Sequence, residues 1–99
     1  MMEEFEKYDT VIKEFFKSSF FPLLRIARTV NTRFMRESWI EESFDGKLPR
    51  KQLDLIIRYL SDDKILDSFI DIYDERSQEE RDLQIERCAY FFARGISIH

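Results

Sequence analysis

Two glycines and two prolines in 99 residues leave this chain few places to reverse direction. An all-β sandwich or barrel needs a turn signal about every eight to twelve residues, so the sequence is restricted to a few long elements, and those must be helices. Charged residues make up 36% and apolar residues 43%, and a chain rich in both has to place them on opposite helix faces. Leu, Ile, Val and Phe number 31 of 99, well above the roughly 20% below which a charged chain stays disordered. At this length one core is expected and two are not. The expectation is an all-α protein, a single domain over 1–99 folded as a compact four- to five-helix bundle.

From Glu3 to Ser19 the apolar residues Phe5, Tyr8, Val11, Ile12, Phe15 and Phe16 return at steps of three and four, which predicts a first amphipathic helix. Pro22 biases Phe21 out of the helical region and suits a first turn, so a boundary is expected there. A second helix is expected to run to about Phe44, with Leu23, Ala27, Val30 and Phe34 as its core stripe and Asp45-Gly46 closing it. Pro49 opens a third, with Leu53, Ile56, Ile57 and Leu60 inward and an end near Ser61-Asp62. The fourth turns Ile65, Leu66, Phe69, Ile70, Ile72 and Tyr73 to the core. Ser77-x-x-Glu80 is a capping box for a fifth helix that runs to about Arg94 and stops at Gly95. In its last turns Cys88, Ala89, Tyr90, Phe91 and Phe92 cover most of the circumference, which requires burial on several sides or a second chain.

The chemistry that would make this chain an enzyme is missing from its residue types. The sole histidine is His99, at the end of the sequence, so zinc-protease patterns, di-iron Glu-x-x-His pairs and Ser-His or Cys-His dyads lack a base or ligand. Gly46 and Gly95 are isolated and cannot form a phosphate-cradling loop. One cysteine, Cys88, forms neither a C-x-x-C pair nor an internal disulfide, and its apolar neighbours should raise its thiol pKa. No enzyme activity, metal or cofactor is therefore expected. With no long apolar run and no leader pattern, the expected setting is the cytoplasm, without membrane attachment.

Two helix faces carry the binding candidates. On the fourth helix Asp63, Asp67, Asp71 and Asp74 fall in one row, either a solvated face or a contact for a basic partner. On the second, Arg25, Arg28, Thr32, Arg36 and Trp39 recur at helical spacing away from the expected core stripe, with Met35 beside them. Trp and Arg are the residues most enriched at binding hot spots, so this face is the expected contact surface. Against it stand two structural readings: Trp39 packed near Leu48, or the face covered by the third helix. The expected function is that of a small non-enzymatic regulatory or adaptor protein that binds another protein through a helical face. One form of it is a homodimer using surplus Phe and Tyr from the first and fifth helices. The alternative is nucleic-acid binding by the arginines of the second helix. A net charge of −4 opposes this, the excess of acid lying in the second half of the chain.

Overall fold

The stripe of Ile12, Phe15 and Phe16 drives the first helix into the core, and that helix does not stop at Pro22. In a computed structural model, which describes residues 2–29 and 33–96, α1 (Met2–Phe15) passes through a π turn (Phe16–Phe20) directly into α2 (Phe21–Thr29). Proline cannot donate to the carbonyl four residues back and its ring crowds that carbonyl. The widened turn resolves the conflict: the Phe21 N–H donates to Phe16 O, five residues back, and Phe21 stays helical at φ −63° and ψ −43°. The expected boundary is thus a change of helical register.

This continuity corrects the expected core stripe. Phase is inherited from Phe16 and Phe20, so α2 buries Phe21, Leu24 and Ala27, while Leu23 is 40% exposed. The single second helix expected to reach Phe44 is instead two elements, α2 and α3 (Arg33–Ser43), and they pack on different neighbours. The inward row of α3 is Arg36 and Ile40, continued by Phe44 in the turn that follows. Phe34 lies two positions from Arg36, about 200° around the wheel, and is 75% exposed rather than in the core. Val30, the remaining member of the expected stripe, lies outside the described residues.

The later elements follow their local signals. Lys47 N–H closes a turn onto Phe44 O at 2.9 Å across Asp45-Gly46, where Gly46 has φ +70°. Pro49 is the N-cap of α4 (Arg50–Leu60), and Ser61 ends it with its hydroxyl on Ile57 O at 2.6 Å. Asp62 caps α5 (Asp63–Glu75) by accepting the Lys64 N–H at 2.8 Å. Ser77 Oγ accepts the Glu80 N–H at 3.2 Å to start α6 (Gln78–Ala93). Hydrogen bonding from Arg76, and then from Ser77, holds the Glu80 carboxyl below its usual range.

Five helical rods therefore make up the described residues, with α1, the π turn and α2 as one rod. α1 lies along α6, α2 against α5 and α3 against α4, while α4 also touches α5 and α6. Between them runs one apolar cluster, and much of it is aromatic: Phe15, Phe16, Phe20, Phe21, Phe44, Phe69 and Phe92 are all buried. The phenylalanines that seemed surplus to a thin bundle fill its centre, and α6 is covered through Ile85, Cys88, Ala89, Phe92 and Ala93. Tyr90 remains outside, under the Arg94 guanidinium at 3.8 Å. Among the described residues no helix is long and apolar enough to cross a membrane.

α6 stops in a two-bond C-cap, with Ile96 N–H on Phe91 O at 2.9 Å and Gly95 N–H on Phe92 O at 3.1 Å. Gly95 has φ +70°, and a Cβ there would lie 3.2 Å from Lys51 Cε. Gly95→Ala is expected to cost about 1–2 kcal/mol, since an L residue in this region is strained. Gly46→Ala meets nothing within 4 Å and should cost no more than that backbone strain. Urea denaturation of both variants, with unchanged slope, measures the difference.

Candidate functional site

Because α2 turns Phe21, Leu24 and Ala27 inward, Arg25 and Arg28 stand on its flank toward α5, where the aspartate row waits. Arg25 pairs with Asp74. Arg28 donates from Nε to Asp67 Oδ1 at 2.7 Å and lies 3.9 Å from Asp63. From α3, Arg36 Nη2 reaches Asp63 Oδ1 at 2.7 Å. The arginine face and the acidic ridge, separate surfaces in the sequence, are each other's counter-charge. The Asp67 hydrogen bond, reinforced by its charge, raises the Arg28 guanidinium above its ordinary value. Asp71 has no ion pair among the described residues.

The six expected binding residues do not share one outer face. Arg36 is buried, 5% exposed, and its Nε and Nη1 have no hydrogen-bond partner. Trp39 is half-buried, its ring centre 5.6 Å from that of Phe15, and it packs against the core cluster. Arg25 and Arg28 are held by α5, and Thr32 lies outside the described residues. Of the six, Met35, 52% exposed, is the one large apolar side chain that presents more than a third of its surface to solvent. A phosphate backbone would have to displace aspartates from the very arginines offered to it.

What the periodicity missed is the side chain beside Met35. Phe34 at 75% exposure, together with Ile26 at 53% and Leu23, gives α2 and the first turn of α3 exposed large apolar groups. The missed signal is the register Phe16, Phe20, Leu24, Ala27, which runs unbroken through Pro22 and places Leu23 and Ile26 outside.

Among the described residues no group of three His, Cys, Asp or Glu side chains could hold a metal ion. Cys88 is 1% exposed, and burial pushes its thiol up to about 11. Ellman's reagent should therefore leave Cys88 unmodified in the native protein at neutral pH and react at once in denaturant, because only the exposed thiolate attacks. Fast stoichiometric labelling of the native protein would contradict this packing.

No protein-family model, curated protein or solved structure matches this chain.

Proposed function

We propose that this chain is a small non-enzymatic regulatory or adaptor protein of the cytoplasm, and that it binds another protein through a helical face centred on Phe34 and Met35. The observation that supports the reading is the 75% exposure of Phe34 in a protein whose other described phenylalanines are buried or half-buried. Leaving such a ring in water forgoes about 1.5–3 kcal/mol of burial. A partner surface that covers Phe34 and Met35 recovers it, and Ile26 and Leu23 extend the same apolar character along α2. The buried phenylalanine core and the Arg-Asp contacts give this face a fixed scaffold.

The test is a tagged pull-down from nuclease-treated host lysate, comparing wild type with Phe34→Ser/Met35→Ser shown by circular dichroism to be folded. A specific partner bound at least about tenfold less by the variant, as loss of a hot spot requires, supports the reading. Sedimentation adds the oligomeric arm: a dimer that the same variant separates makes the partner a second copy. A monodisperse monomer that binds no hydrophobic dye, and whose captured proteins are unchanged by the variant, refutes it.

A further inference from the structure

Between the π turn and the first turns of α6 lies a groove of about 420 Å³, within the range of small-ligand sites. Its walls are of two kinds. Phe21 and Tyr73, stacked with ring centres 5.6 Å apart, form an aromatic side continued by Pro22 and Ile85. Lys17 and Arg81 supply two positive charges.

Arg81 departs from the pattern of the other arginines. Those partly or wholly withdrawn from water, Arg28, Arg36 and Arg94, each hold a carboxylate. Arg81 is also half-buried, with its guanidinium 4.7 Å from the centre of the Tyr73 ring, yet neither it nor Lys17 has an ion pair among the described residues. Its Nε is buried without a hydrogen-bond partner. The carboxylate on the groove, Asp82, is turned to Gln78, whose Nε2 donates to it at 2.9 Å. A guanidinium held on an aromatic ring, short of a counter-charge and open to a groove, is suited to a planar carboxylate, which its fork of donors matches.

We propose that this groove binds a small organic anion, an aromatic or apolar body bearing a carboxylate. The body lies against Tyr73, Phe21 and Pro22, and the carboxylate meets Arg81 with Lys17. The groove shares no lining residue with the Phe34 face. Asp82 opposes the anion and limits its affinity.

Phenylacetate titrated into the full chain is the probe, with phenylacetamide as its neutral match, followed by backbone amide shifts. Saturable shifts at Tyr73, Gln78 and Arg81 are expected with phenylacetate, and binding about tenfold weaker with the amide, the loss of one charge-assisted hydrogen bond. Arg81→Gln should weaken phenylacetate by about tenfold or more, and Lys17→Gln, at an exposed position, should weaken it several-fold without touching the fold. Asp82→Asn should tighten it. No saturation up to about 10 mM, equal binding of the amide, shifts that map elsewhere, or unchanged affinity in Lys17→Gln and folded Arg81→Gln would each overturn the proposal.

Discussion

Phe69→Ala is expected to lower the stability of this protein by about 3–5 kcal/mol, the cost of an emptied phenylalanine site in a close-packed core. Phe69 is 2% exposed and sits where several elements meet. Its ring centre lies 5.2 Å from that of Phe20, 6.0 Å from Phe16, 5.9 Å from Phe21 and 6.3 Å from Tyr59. It therefore ties α5 to the π turn, to α2 and to α4, and three of the four contacts are edge-on, the arrangement aromatic quadrupoles favour. The surrounding rings are rigid and cannot collapse into the space, which puts the cost toward the upper end. Domains of this size have about 5–15 kcal/mol in total, so the variant should be marginal at room temperature. Phe34→Ala is the control: the same atoms are deleted from a site 75% exposed, and a change within about 0.5 kcal/mol is expected. Urea titrations of both variants decide it. Equal losses at the two positions would contradict the assignment of Phe69 to the core and Phe34 to the surface.

The contrast between these two phenylalanines also measures how far the sequence can be read. Elements with a cap or turn of their own were legible: Asp62, the Ser77-Glu80 box, Gly46 and Gly95 each act through a local hydrogen bond or a local φ, and each sits where composition put it. The apolar rows of α4 and α5 were legible for the same reason, since each helix starts its own phase, except that Tyr73, expected in the core, is 40% exposed at the edge of the α5 row. Pro22 was not. A proline normally resets the helix, and reading it so put Leu23 in the inward row of α2; the helix instead continues through the π turn, and Phe16, Phe20, Leu24 and Ala27 form that row. Phe34 and Arg36 were misplaced for another reason: α3 is a separate helix with its own phase, which leaves Phe34 at the surface and Arg36 in the core. The charged faces failed for a different cause. Helical spacing shows that Arg25 and Arg28 share a side, and that Asp63, Asp67 and Asp74 share another, but pairing them needs α2 set beside α5, which is a tertiary fact with no sequence signature. Composition held a trace of it, because a row of like charges on one helix asks for a counter-row somewhere.

Asp63 and Arg36, though joined by one 2.7 Å ion pair, are expected to respond to mutation in opposite ways. Removing one partner of a withdrawn pair strands the other's charge, which costs about 3–5 kcal/mol when both are buried. Here only the Arg36 side chain is withdrawn, at 6% exposure against 55% for Asp63, so solvent screening lowers the expectation for Asp63→Ala to about 2 kcal/mol. Part of that loss is the acidic residue in the first turn of α5, where it favours the helix. Arg36→Met removes the charge itself, together with the Nε and Nη1 donors that have no partner. A thioether of similar length keeps the packing beside Ile40, so stability should stay within about 1 kcal/mol of wild type or rise. The double variant Asp63→Ala/Arg36→Met should then be more stable than Asp63→Ala alone, because no buried charge remains to be stranded. Thermal melts of the four proteins complete the cycle. A loss above about 2 kcal/mol in Arg36→Met would show instead that the buried guanidinium is held for its contacts, and that its unpartnered nitrogens are satisfied when the protein is folded in water.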